Sequence, residues 1–192
     1  FLCSVNEKYD MYLSYIEGGN KHNAIPREAC AICAVPKKDK ENVRVDFNIF
    51  AAEVQDEYSV TEPTMRLTLQ STDPVERAIE PVVTKNLLRA VCAVFNGVFA
   101  MSQDVPGLVE TSSNLASIKR VADDLIKVTT SQRSSIESAR DFVSDSVRAA
   151  FELAGAGVTT RGQYPGCKPN MKSEILQVAC KTYKQLFADE AK

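Results

Sequence analysis

The sequence is poorest in histidine: His22 is the single one among 192 residues. A hydrolytic metal centre draws on several His, Asp and Glu ligands, and no carboxylate pair flanks His22 at ligand spacing. Such a centre is therefore not expected within this stretch, and His22 reads as a surface residue of a hairpin. An excess of charge is lacking too: 23 Lys and Arg stand against 25 Asp and Glu, a net charge of -2. That balance gives no reason to expect nucleic acid or an anionic membrane as partner. No apolar run approaches the roughly 20 residues of a membrane span. The cysteines do not form a metal or redox pattern either. Cys30 and Cys33 make a C-x-x-C, but within a strand their thiols point to opposite faces, whereas a redox pair sits at a helix N-terminus. Cys92 and Cys180 fall on apolar helical stripes and are expected in the core. Unpaired usage of this kind fits a reducing compartment, so the expected location is cytoplasmic.

What is present is ordinary for a globular protein: 44% apolar and 25% charged residues, on a chain long enough to bury a core. The chain begins at Phe1 in mid-pattern, and the expectation is a fragment of a longer protein.

In order, residues 1–7 look like the end of a helix. Strands near 10–18 and 26–35 follow, joined through Gly18-Gly19-Asn20, where Gly and Asn tolerate positive φ. Val43, Phe47, Phe50 and Val54 recur at i, i+4, i+7 and i+11, a helical stripe over about 40–58. Val43, Val45, Phe47 and Ile49 also alternate, so strand remains an alternative for the first half. Residues 65–71 alternate as a strand. A helix starts at Pro81, buries Leu87, Leu88, Val91, Cys92 and Phe95, and stops at Asn96-Gly97. Residues 108–118 and 123–130 read as a second strand pair. Ser134-Ser135-Ile136-Glu137 has the form of a capping box opening a helix to Leu153. Val158-Thr159-Thr160 reads as a short strand, and a last helix covers about 173–188.

The pattern predicts an α+β fold of two successive helix-hairpin-helix-strand units, about 1–73 and 74–163. Each is an antiparallel sheet covered by helices in ferredoxin-like layers. Residues 164–192 read as an exit linker, from Pro165 to Pro169, and a returning helix.

Four stretches carry a more specific signal. They are Gly18-Gly19-x-x-x-Asn23-Ala24-Ile25-Pro26-Arg27-Glu28-Ala29, Met101-Ser102-x-Asp104-x-Pro106-Gly107-Leu108-Val109-Glu110-Thr111-Ser112-x-Asn114-Leu115, Ser131-Gln132-Arg133-Ser134-Ser135-x-Glu137-Ser138-Ala139, and Tyr164-Pro165-Gly166-x-Lys168-Pro169-Asn170. In type and order they resemble motifs of bacterial aminoacyl-histidine dipeptidases, within the two-zinc peptidase family that includes carnosinase and aminoacylase. Cys167 departs from the pattern, standing where an aromatic is expected.

The resemblance implies that residues 1–163 form a lid and dimerisation domain, with 164–192 leading back to a catalytic domain outside this chain. Two zinc ions, their ligands and the general base would belong to that catalytic domain, so no residue of this chain is expected to be catalytic or to bind metal, and the chain alone is expected to be inactive. The implied partners are a dipeptide substrate, the protein's own catalytic domain and a second copy in a homodimer.

A dipeptide presents a free carboxylate, which a guanidinium fork and amide donors recognise. Arg133 matches the family's substrate-binding arginine and stands at a strand-to-helix turn, where an anion is favoured. Its alternative is a structural ion pair with Glu137 or Asp141. Asn23 matches the family's lid asparagine and would donate to the substrate, its alternative being a turn-capping side chain. Asn114 is a third candidate for substrate binding. Arg27 and Glu28 read as the structural rim of the hairpin. The competing functional class is a non-enzymatic α+β module that binds small molecules or mediates dimers through open sheet edges; a thiol-redox protein stands behind both.

Overall fold

The computed structural model describes residues 1–167 and 169–188. Lys168 of the expected linker and the last four residues of the 164–192 segment lie outside the described residues. The fold is α+β. Helix α1 (Leu2–Lys8) leads into β1 (Tyr12–Gly18) and β2 (Ala29–Ala34), followed by α2 (Lys40–Glu57) and α3 (Pro81–Ala93). Strands β3 (Gly97–Met101), β4 (Val109–Ala122) and β5 (Leu125–Ser134) come next, then α4 (Glu137–Leu153) and α5 (Glu174–Phe187). The strands hydrogen-bond in the order β2-β1-β4-β3, with β5 also on β4. β1 pairs antiparallel with β2 and β4, and β3 antiparallel with β4.

The described residues divide into two units built from discontinuous segments. The first comprises residues 1–95, 114–131 and 146–159. Its main core joins Val5 of α1, Met11, Leu13 of β1, Val43 of α2 and Leu88 of α3. Leu13 is fully buried, and each aliphatic side chain removed from water in this way contributes about 1.5–3 kcal/mol. A second cluster joins Ala90 and Val94 to Val147 and Phe151 of α4. Phe47 and Phe50 pack their rings against Phe1 at 5.2 and 5.4 Å, while Val45 and Ile49 face outward. Helical spacing therefore prevails over the alternation that also runs through residues 43–49.

The second unit comprises residues 96–113, 132–145 and 160–192. Here β3 lies along the start of β4 with an irregular register, Gly97 opposite Ser113 and Met101 opposite Val109. Phe99 of β3 approaches Phe142 of α4 at 6.0 Å between ring centroids. The last helix, α5, is capped by the Ser173 hydroxyl, which accepts the Leu176 N–H at 3.2 Å.

Several expectations are corrected. Residues 65–71 form no strand. Gln55 Nε2 donates to the Met65 carbonyl and Arg44 Nη2 to Ser71 Oγ, so helix α2 ties this segment down through side chains. The Leu13 carbonyl of β1 instead accepts the Ile79 N–H at 2.7 Å, so β1 gives that bond to the end of the connection. Val158-Thr159-Thr160 is also irregular; Val158 serves as a packing residue under the α3–α4 cluster. Ser134 does not open α4 as a capping box. It ends β5, its hydroxyl accepts the N–H of Ile136, and the helix starts at Glu137. Cys92 and Cys180 are exposed; α5, which carries Cys180, buries none of its residues, so its apolar stripe covers no core among the described residues. The strand β3, which the Asn96-Gly97 stop signal hid, was not anticipated.

Candidate functional site

The ten residues between β1 and β2 are held by contacts at both ends. Gly19 adopts φ +66°, and a Cβ there would run into the Ala116 carbonyl and stand 3.2 Å from Ser117 Cα. Only glycine meets both conditions, so the loop leaves β1 pressed against the β4 backbone. The Gly19 N–H donates to the Glu28 carbonyl at 3.1 Å, closing the loop's base. Further out, Asn114 of β4 donates its side-chain amide to the Ala24 carbonyl at 2.8 Å. Asn23 is thus exposed beside an anchored residue. Its side chain makes no hydrogen bond among the described residues, and the turn-capping alternative is not realised there. His22, Arg27 and Glu28 are exposed as well.

In the second unit, the start of β4 and the end of β5 share a seam of buried hydroxyls. Thr111 and Ser113, both on the inward phase of β4, are almost fully buried. Thr111 Oγ1 and Ser134 Oγ share a hydrogen bond of 2.8 Å, and Gln132 Nε2 donates to Ser113 Oγ at 3.2 Å. The Ser135 N–H donates to the Glu110 carbonyl at 3.1 Å, and Ile136 N–H to Ser134 Oγ at 3.0 Å. Period-2 alternation then turns Arg133 outward, between Gln132 and Ser134. Arg133 is exposed and forms no ion pair or hydrogen bond among the described residues. Asp141, one of its two alternative partners, is bound instead by Arg140, at 2.8 Å.

The chain is 30% identical over 187 residues to the cytosol non-specific dipeptidase of Escherichia coli (strain K12), a match covering 97% of this chain. It is homologous to part of that dipeptidase. The crystal structure of aminoacylhistidine dipeptidase from Vibrio alginolyticus superposes with a TM-score of 0.91 at 29% identity, covering 99% of the chain. The chain spans 38% of the first dipeptidase's length and 39% of the second's. No family model matches it.

The dipeptidase relationship makes metal binding a natural question. Among the described residues, no three His, Cys, Asp or Glu side chains gather as ligands would. With His22 as the sole imidazole, the donor set of this chain does not fit a two-zinc centre. No helix among the described residues is long and apolar enough to cross a membrane.

The groups whose titration is shifted lie on α1, β1, β2 and α2. Burial pushes the Cys3 thiol up to about 11, helped by its contact with Cys92, whose sulfur is 2.9 Å away. Burial also raises Cys33. A polar depression of about 560 Å³ in the first unit is lined by Asn6, Lys8, Tyr9, Lys38, Asn42 and Asp46, among others, and includes neither Asn23 nor Asn114. Two of its lining residues, Lys8 and Asp46, form an ion pair at 2.7 Å.

Two further groups were missed at the level of sequence. The hydroxyl seam had a signal in the alternation of Thr111 and Ser113. Arg140, on the first turn of α4, had none, because its role depends on a residue 24 positions away.

Proposed function

We propose that this chain is the substrate-gripping lid portion of a cytoplasmic zinc metallodipeptidase whose substrates include Xaa-His dipeptides. Arg133 is the residue that takes the substrate's carboxylate. The observation that carries this reading is its state: a guanidinium held on a hydrogen-bonded strand-to-helix turn, exposed and unpaired among the described residues. A fork of fixed donors without an internal partner is suited to a planar anion. The homology to dipeptidases supports the substrate class. Asn23 is proposed to donate to the substrate from its own anchored loop. Asn114 is given a smaller share in substrate binding, since one of its amide donors already holds Ala24.

The metal ligands and the general base are assigned to the part of the enzyme outside this chain. The chain by itself is therefore proposed to be inactive. β2 hydrogen-bonds to β1 and to no other strand among the described residues, which leaves an edge through which a second copy could pair in a homodimer. That edge is also what a non-enzymatic dimerisation module would use.

The test is hydrolysis of Xaa-His dipeptides by the full-length parent with zinc or manganese, beside this chain alone. The parent should cleave and this chain should not. Arg133→Ala in the parent should lower kcat/KM by about 2–4 kcal/mol of lost grip on a charged group. A parent inert toward every dipeptide would favour the dimerisation module, and an unchanged KM in Arg133→Ala would remove Arg133 from the substrate.

A further inference from the structure

The segment Tyr164-Pro165-Gly166, expected as a linker, crosses the turn that carries Arg133. A Cβ on Gly166 would lie 2.9 Å from the Ser134 carbonyl oxygen and 2.9 Å from both the carbonyl carbon and oxygen of Ser135. Those are backbone atoms, which cannot step aside as a side-chain tip can. Gly166 is thus seated directly on the two residues after Arg133. A separate contact holds the same segment at Tyr164. Arg140 of α4 donates Nη1 to the Tyr164 carbonyl at 2.7 Å. Its Nε and Nη2 both donate to Asp141 Oδ1, at 3.0 and 2.8 Å, so the guanidinium is oriented before it meets Tyr164. The Arg140 side chain is itself mostly buried, 17% exposed, while Tyr164 lies at the surface, and the charged donor makes this a charge-assisted bond.

We infer that Tyr164–Gly166 is a brace, clamped by Arg140, that fixes the Arg133 turn, making Arg140 and Gly166 positioning residues for Arg133. The consequence for substrate binding rests on the reading of Arg133 given above; the brace itself does not. A guanidinium on a long side chain grips a carboxylate well only when its backbone is fixed, because each ordered rotamer and loop dihedral is otherwise an entropic cost of binding. The hydroxyl seam fixes the turn from the β4 side, and the brace fixes it at Ser134 and Ser135.

The experiment has two readouts. Amide hydrogen exchange on this 192-residue chain follows Ser135 and Ile136, whose N–H groups bond Glu110 and Ser134. In Gly166→Ala and in Arg140→Met, both amides should exchange at least about tenfold faster, while Val5 and Leu13 in the first unit keep their protection. Arg140→Lys should restore part of the protection, since one ammonium can reach the Tyr164 carbonyl without the fork. Should Gly166→Ala fail to fold, the Arg140 pair carries the test. In the full-length parent, Arg140→Met should raise KM for a dipeptide several-fold with kcat little changed, and should add nothing on an Arg133→Ala background. Wild-type exchange at Ser135 and Ile136 in the folded variants overturns the brace. A KM increase of equal size with and without the Arg133 side chain shows that Arg140 does not act through Arg133 and overturns its role as a positioning residue. Faster exchange in the variants together with a wild-type KM in Arg133→Ala keeps the brace and removes the substrate role of Arg133.

Discussion

Asn114 Nδ2 and the Ala24 carbonyl lie 2.8 Å apart, a bond between residues 90 positions apart in the chain. It fixes the outer part of the β1–β2 loop to β4. Replacing Asn114 by Ala leaves the half-buried Ala24 carbonyl without this donor, and should cost about 1 kcal/mol of stability. Denaturant midpoints check the cost. Exchange rates across residues 20–28 check the location, since a loosening elsewhere would argue against this anchor.

Gly19 should be far less replaceable than its loop position suggests. Gly19→Ala forces an L residue to φ +66° and drives a methyl into the backbone of Ala116. The dihedral alone costs about 1–2 kcal/mol, and the clash adds to it. A urea midpoint within error of wild type would show that the loop base can shift, contrary to the packing described.

Arg133→Ala should separate binding from stability. Replacing an exposed arginine with no partner among the described residues leaves the stability of the chain nearly unchanged, within about 0.5 kcal/mol, as a denaturant midpoint would show. A marked loss of stability would instead reveal a structural ion pair.

The Lys8–Asp46 pair predicts weak pH dependence at both extremes. Hydrogen bonds from Lys8 and Tyr9 hold the Asp46 carboxyl below its ordinary 3.8. Its contribution is fully present above that value and is lost as pH falls through the depressed folded value. The bond to Asp46 holds the Lys8 ammonium above its ordinary 10.5, so its contribution is present below that pH and lost as pH rises through the raised value. Asp46→Asn should flatten the acid limb of stability against pH, and Lys8→Met the alkaline limb. The pair is partly exposed, so both effects are small. Unaltered limbs in both variants would assign the pH dependence to other groups.

Cys3 should react slowly with alkylating reagents. Its thiol is raised from 9.0 to about 11 and donates to the Leu88 carbonyl at 3.3 Å. Near neutral pH that leaves roughly a hundredfold less thiolate than an ordinary cysteine, and the thiolate is the nucleophile. Mass-spectrometric labelling with iodoacetamide should find Cys3 modified well after the exposed Cys30 and Cys180. Equal rates would mean that the contact with Leu88 opens readily.

Elements with one dominant periodicity were legible in the sequence: α2 was bounded within one residue because Phe47, Phe50 and Val54 outweigh the competing alternation. Residues 65–71 show the limit of such reading, since alternation prepares a strand but a neighbouring edge must accept it, and here β1 bonds Ile79. Strand β3 failed for the opposite reason: Gly-Val-Phe-Ala-Met has no alternation, and its pairing with β4 is supplied by the tertiary structure. At the candidate site, the positions of Arg133 and Asn23 followed from motif and turn chemistry. The partners around them did not, because Asn114 with Ala24 and Arg140 with Tyr164 are contacts between residues distant in sequence.

The main core of the first unit has a consequence for how the chain is made. Val5, Met11, Leu13 and Val43 reach the solvent long before Leu88, and β1 meets Ile118 of β4 later still. A chain emerging from the ribosome therefore holds α1 and the β1–β2 hairpin incompletely packed until Leu88 and then Ile118 have been made. Contacts of such long sequence separation form slowly. During that interval the apolar face of β1 is the surface a nascent-chain chaperone would meet.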